Sequence, residues 1–218
     1  MKNLSLLKKE ADIFFNRNID YYASSSNDYR ILDLIKINTI KPKSILEIGC
    51  ANGSKLNQYQ QELKTKINYG VDLSSKAINS GKKKFKKLKL LQLSSLEIDK
   101  IKPNFDLIIC GFFLYLLDRE KIFNQFNLIY KKLNFNGFLI IEDFDPLFKH
   151  TNLLKYNKKV KIFKISYDNF LQESGLFKLV YKIKTQASSL DKKKFKSKDL
   201  SLTLFKKIDF QKTYPEDL

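Results

Sequence analysis

Short apolar runs alternate with longer amphipathic stretches over the first two thirds of the chain. Residues 44–48 (SILEI), 67–73 (INYGVDL), 88–93, 105–110 (FDLIIC) and 138–142 (FLIIE) are compact and rich in Ile, Leu and Phe, as buried strands are. Between them, residues 56–63, 75–87 and 119–133 carry the helical rhythm. Ser74 or Ser75 stands ready to cap the second of these helices and Asp118 the third. Near-continuous apolar strands separated by helices predict a parallel sheet covered on both faces. Asn136-Gly137 reads as a turn before the last of these strands.

After Pro146 the rhythm changes. Residues 159–165 read as a strand or hairpin arm, and 167–173 as a short helix stopped by Gly175. Residues 177–185 and 200–208 read as two strands joined by a lysine-rich loop, which adds an antiparallel pair to the sheet. Two helices, over 4–16 and 27–38, precede the first strand. The expected organisation is one α/β domain: a helical cap over 1–40, a core over 41–145, and an insertion plus the last two strands over 146–218.

The 218 residues are ample for a buried core, and 43% hydrophobic with 13% aromatic content excludes a disordered tail protein. No run of about 18 apolar residues exists, so no membrane association is expected. Lys8, Lys9, Glu10 and Asp12 break up the N-terminal apolar stretch, against a secretory signal. Two cysteines, Cys50 and Cys110, make no disulfide framework and suggest a reducing cytosol. The formal charge of +18 points toward nucleic acid, yet arginine occurs only at Arg17, Arg30 and Arg119. A dedicated phosphate-binding surface uses the bidentate arginine fork more freely. The lysine, with the Asn and Ile that accompany it, also fits the codon drift of an AT-rich genome.

The sharpest segment is ILEIGCANGSKL, residues 45–56. A strand ends in Glu47-Ile48-Gly49, a small-residue turn follows, and a helix begins near Ser54. Strand carboxyl ends are where open α/β sheets bind ligands. A dinucleotide fingerprint requires Gly-x-Gly-x-x-Gly, but Ala51 and Ser54 stand at its later positions, so that pattern fails twice. What remains is Glu-x-Gly-x-x-x-Gly, with Asp72 at the end of the next strand, placed to accept both hydroxyls of a ribose.

On these residues the chain resembles a class I S-adenosylmethionine-dependent methyltransferase, closely over about 40–145 and by topology beyond. The resemblance implies a Rossmann-like, seven-stranded, mostly parallel sheet with an antiparallel C-terminal strand pair and helices on both faces. It implies S-adenosyl-L-methionine as cofactor. Glu47, Gly49 and Gly53 correspond to the family's first motif, with Ala51 where many members carry glycine. Asp72 matches the ribose-binding acid, and Leu73 would lie against adenine. Ser94, Ser95 and Leu96 occupy the adenine-amine loop, where many members have an acid. The segments FDLIICGFFLYLLDRE and KKLNFNGFLIIEDFDP resemble the fourth- and fifth-strand motifs. Cys50 and Cys110 end neighbouring strands in close quarters with the cofactor, as small fillers rather than a nucleophile or ligand pair. Arg30 or Tyr29, in a leading helix that closes over the cofactor, would reach the methionine carboxylate; the plainer reading of Arg30 is a helix-surface charge.

A hydroxyl acceptor needs a general base, whereas a neutral amine does not. His150, the only histidine, follows the fifth strand on the acceptor side, and histidine as a residue type titrates near neutrality. Its other reading is a solvated loop residue beside Lys149. Asp143 is the alternative base, and Asp145 before Pro146 shapes a turn. Asp143 and Asp145 with Glu142 form the one conceivable metal set, which lacks a histidine partner, and no metal is expected. Phe112 and Phe113 either floor the methyl pocket or pack the core. The layout resembles bacterial methyltransferases of surface-polysaccharide and secondary-metabolite pathways. This implies a small-molecule acceptor, with anionic and nucleotide-linked sugars among the candidates, and a cytoplasmic enzyme. RNA is the charge-based alternative, opposed by CGFF standing where an Asn-Pro-Pro-Tyr-type tetrad would follow the fourth strand. A non-catalytic cofactor-binding protein of the same fold is the other.

Overall fold

The computed structural model describes residues 4–23, 29–185 and 200–209. Three helices lead the chain, α1 (Leu4–Arg17), α2 (Ile19–Ala23) and α3 (Arg30–Ile37), where the periodicity predicts two. Residues 27 and 28 of the second expected helix lie outside the described residues, as does the lysine-rich loop before the last strand. The core follows as β1 (Ser44–Ile48), α4 (Ser54–Leu63), β2 (Ile67–Asp72), α5 (Ser75–Lys84), β3 (Lys89–Gln92), β4 (Phe105–Gly111), α6 (Ile122–Lys132) and β5 (Leu133–Phe144). A hairpin of β6 (His150–Leu154) and β7 (Asn157–Lys164), then α7 (Asp168–Glu173), β8 (Phe177–Thr185) and β9 (Leu200–Lys207), complete it.

The main sheet has seven strands in the order β3-β2-β1-β4-β5-β9-β8. Its first five are parallel; β9 runs antiparallel to β5, and β8 to β9. This is the expected Rossmann-like sheet. The chain winds outward from β1 to β3, then returns to place β4 on the other flank of β1. That reversal opens a crevice at the carboxyl ends of β1 and β4.

Strand alternation sends side chains to two cores. Leu46, Ile48, Ile108, Cys110, Leu139 and Ile141 pack with α6 and α7 on one face. Ile45, Leu107, Ile109 and Ile140 pack with α3, α4 and α5 on the other. Phe105, Phe126, Phe177 and Phe205 are almost fully buried, each contributing about 1.5–3 kcal/mol of transfer free energy.

Several element ends differ from the periodicity for local reasons. α5 stops at Lys84 because Phe85 turns in to pack on the second core. The Asn136-Gly137 turn is absorbed into β5 as an irregularity: Asn136 takes a left-handed φ of 58°, and the register jumps from Phe105–Leu133 to Leu107–Phe138. The helix expected from residue 119 begins as a short 3-10 turn, and the Asp118 side chain makes no cap bond to it. Ser74 does cap α5, accepting from the Ala77 amide.

Candidate active site

The glycine turn is built by hydrogen bonds to β2. The Gly49 and Cys50 amides both donate to the Val71 carbonyl, at 2.9 and 3.1 Å, and Gly53 donates to the Cys50 carbonyl at 2.8 Å. Gly49 and Gly53 both sit at a φ of 79°, where a side chain is strained. Ala51 also takes a left-handed φ, of 48°. Asp72, half-buried, closes the turn from the β2 side: it accepts from the Ala51 amide and the Ser74 amide, each at 2.8 Å. Burial raises its carboxyl above the usual range, against the pull of these amides and that of Leu73.

Glu47 and Glu142 point to the α3/α4 side of the sheet, and both are buried. Arg30 lies 2.7 Å from Glu142, and Lys55 lies 3.8 Å from it. Glu47 accepts from the Leu56 amide, while its Oε2 is buried without a hydrogen-bond partner. Burial pushes its carboxyl up to about 8; Lys55 opposes this, and Asp72 and Glu142 reinforce it. The Tyr22 phenol of α2 is within electrostatic reach of Asp72, Glu47 and Tyr115, and burial raises its pKa. At Gly111, the residue paired with Glu142 across β4 and β5, the space where a side chain would stand is open, with nothing within 4 Å.

α1 straps the crevice. Asp12 accepts from the Ser74 hydroxyl at 2.6 Å, the Ser75 hydroxyl at 3.2 Å and the Lys76 amide at 3.1 Å, so it caps α5 from outside. At the hairpin, Glu10 accepts from Asn157 at 3.1 Å, and the Arg17 guanidinium lies 4.1 Å from the Tyr156 ring centre.

Beyond β4 and β5 the wall is aromatic. Phe112 holds a left-handed φ of 50°, a costly conformation for a bulky residue. It meets the Phe144 ring edge-on, and Tyr115 does the same from a 5.2 Å centroid separation. The Lys164 ammonium lies 4.5 Å from the Phe144 ring centre. Arg119 pins this region: it donates to the Leu114 and Leu117 carbonyls and to the Tyr167 hydroxyl, and it lies over the Phe163 ring of the hairpin.

The structure brings Glu47, Gly49, Cys50, Gly53, Asp72 and Arg30 to one crevice. Leu73 follows the carboxyl end of β2 and Ser94, Ser95 and Leu96 that of β3, and the Gln92 amide donates to the Leu73 carbonyl at 3.2 Å. Ser94 caps the following 3-10 turn and forms a capping box with Glu97, so its hydroxyl serves the backbone. Cys110 is fully buried on the α6 face, away from the Glu47 side. Cys50 packs beside Gly70, where an added methyl would stand 2.7 Å from its sulfur. Burial pushes both thiols up.

Asp143 and Glu142 do not converge, because adjacent strand residues face opposite sides. Asp143 is buried and accepts from the Phe144, Tyr115 and Leu114 amides, holding the turn after β4. Burial pushes it up to about 7 against those amides and Arg119. Asp145 is ion-paired with Lys182 at 3.0 Å and with Lys184. His150 is exposed in β6, with Nδ1 2.9 Å from the Phe148 carbonyl; across the hairpin it faces Lys164, the residue over Phe144. Tyr22, Lys55, Asp12 and Glu142's ion pairs escape sequence reasoning. Only Lys55 leaves a trace, as the cation directly after the glycine turn.

A family model described as a methyltransferase domain matches residues 41–200. An uncharacterised protein of Rickettsia prowazekii is 32% identical over 107 residues; the match covers 47% of this chain and 43%, less than half, of that protein. Among solved structures, the fold is similar to a Burkholderia thailandensis 1,6-didemethyltoxoflavin N1-methyltransferase bound to its acceptor and S-adenosylhomocysteine. That likeness has a TM-score of 0.73 and 12% identity over 94% of this chain and 88% of the other. The N-methyltransferase NodS of Bradyrhizobium japonicum, in complex with S-adenosylhomocysteine, gives a TM-score of 0.61 and 17% identity over 91% and 99%.

Proposed function

Since this chain belongs to the S-adenosylmethionine-dependent class I methyltransferases, we propose that it moves a methyl group from S-adenosylmethionine to a nitrogen or oxygen of a small-molecule acceptor. The observation that carries this reading is the buried, unpartnered Oε2 of Glu47 beside Asp72, at the crevice where the strand order reverses. A buried carboxyl oxygen left without a hydrogen-bond partner is costly until a ligand supplies one. The residues fit the cofactor. Asp72 keeps lone pairs for ribose hydroxyls, with Leu73, Ser94, Ser95 and Leu96 toward the adenine. Glu47 suits the amino group and Arg30 the carboxylate of the methionine end. Gly49, Gly53 and the small Cys50 let the ligand approach the main chain, and Cys110 fills the far side of β4.

The bound cofactor supplies an electrophilic methyl on a sulfonium. The chain then has to exclude water and align the nucleophile. Tyr22 and α1 cover the crevice, and Phe112, Phe144 and Tyr115 form an apolar acceptor wall. For a hydroxyl acceptor the proton goes to His150 or Asp143; the three amides on Asp143 also make it the holder of the turn that carries Tyr115. Two of the structural neighbours are N-methyltransferases, which supports nitrogen among the acceptors. Sugars, including anionic or nucleotide-linked ones, remain within the reading because Lys164 faces the wall. The two free cysteines support a cytosolic, reducing setting.

The test is transfer of tritiated methyl from S-adenosylmethionine to panels of amines, nucleotide sugars and total RNA. Labelling of a small molecule supports the proposal. Labelling of RNA alone, with acceptor affinity falling steeply with salt, overturns the small-molecule assignment.

A further inference from the structure

The segment 146–166 leaves β5 at the carboxyl end of the sheet, the end that holds the crevice, and forms a two-stranded sheet apart from the main one. It carries six lysines and no acidic residue. Its first two side chains after Pro146 stand almost wholly in solvent: Leu147 is 87% and Phe148 77% exposed. Leu153, opposite Lys161 in the hairpin, and Tyr156 at its tip are 50% and 63% exposed. Arg17 joins this tip to α1, contacting both Tyr156 and Phe14, and Phe14 is itself 45% exposed. Bulky apolar side chains exposed along one short segment that carries six lysines mark an interaction surface rather than scattered exposure.

We propose that this lysine-rich hairpin segment docks on an anionic lipid bilayer surface. Charge complementarity commits the choice. Lysine heads sit at lipid phosphates while their stems lie along apolar neighbours. Leu147 and Leu153 have no π face for stacking bases, and the segment has no arginine to fork onto nucleic-acid phosphates. Phe148 and Tyr156 are suited to the headgroup boundary. The expectation of no membrane contact followed from the lack of a spanning segment; among the described residues no helix is long and apolar enough to cross, and surface docking requires none. The binding does not depend on methyl transfer.

The experiment is flotation of the full chain with vesicles of phosphatidylcholine alone and of phosphatidylcholine mixed with phosphatidylglycerol. The protein should float with the anionic vesicles only. Leu147→Ser with Phe148→Ser should lower partitioning about tenfold or more, and Lys159→Gln or Lys161→Gln, on the same side of β7 as each other, about fivefold each. These exposed variants should keep the wild-type melting temperature and affinity for S-adenosylhomocysteine. No flotation with anionic vesicles at low salt overturns the proposal, as does equal flotation of the double serine variant. Tight binding of single-stranded RNA that the double serine variant loses, without vesicle binding, reassigns the segment to nucleic acid.

Discussion

Glu47 makes the cofactor reading measurable as protons. With its carboxyl pushed up to about 8 by burial, roughly nine-tenths of the free protein carries a proton there at pH 7. A cationic amino group arriving beside the unpartnered Oε2 favours the carboxylate and expels that proton. Binding of S-adenosylhomocysteine at pH 7 should therefore release up to about 0.9 proton, falling to about 0.1 at pH 9, where the site is already ionised. Calorimetric titration in buffers of different ionisation enthalpy reads the number directly, as the slope of observed against buffer enthalpy. Glu47→Gln should bring the slope near zero. The same group sets a sign for stability. Its folded pKa lies above the unfolded value, so its contribution is fully present below the unfolded pKa and lost as pH rises through about 8. The ligand-free Glu47→Gln variant should then hold its melting temperature between pH 5 and pH 8 better than the parent does. A zero slope in the parent at pH 7, or an unchanged slope in Glu47→Gln, refutes the reasoning.

A methyl at Gly81 would stand 2.1 Å from the Asn52 carbonyl oxygen, so Gly81→Ala must push the glycine turn off α5. Urea unfolding should show a loss of about 1–3 kcal/mol or more, accompanied by weaker S-adenosylhomocysteine binding; parental values for both would show that α5 does not support the turn. Asp12→Ala removes the strap's three bonds to α5 and should cost about 1–2 kcal/mol. Those bonds overcome burial and hold the Asp12 carboxyl below its usual range. Its contribution is therefore present above the unfolded pKa and lost as pH falls through the folded one, and the variant and parent melting curves should converge in acid. On a hydroxyl acceptor, His150→Ala should lower turnover and leave cofactor affinity alone, whereas full activity removes the exposed His150 from the role of base. If Asp143 is the base, activity rises with pH through about 7, and Asp143→Asn abolishes that rise.

The sheet was legible because its buried strands are nearly pure apolar runs, and Glu47, Gly49, Gly53 and Asp72 because their spacing is tied to a strand–turn–helix. The α5 cap at Ser74 was legible from one residue. Ser94 drew only the adenine-loop reading, although its Ser-x-x-Glu spacing to Glu97 is a capping box in the structure. What sequence could not show was long-range. Asp12 meets Ser74 across more than sixty residues, and Arg30 reaches Glu142 from another helix. Nothing in local pattern predicts either. The separation of Glu142 from Asp143 needed only strand alternation, once β5 was known to continue past residue 142. β6 escaped because its side chains are largely exposed and carry no apolar alternation.

The central claim is that the crevice between Glu47 and Asp72 holds S-adenosylmethionine. Titrating the parent protein and Asp72→Ala with S-adenosylmethionine tests it most directly. The parent should show one site per chain, and the variant an affinity lower by about tenfold or more, as expected when the charged partner of buried hydroxyls is removed. Absence of binding to the parent, or equal affinity in Asp72→Ala, would contradict it.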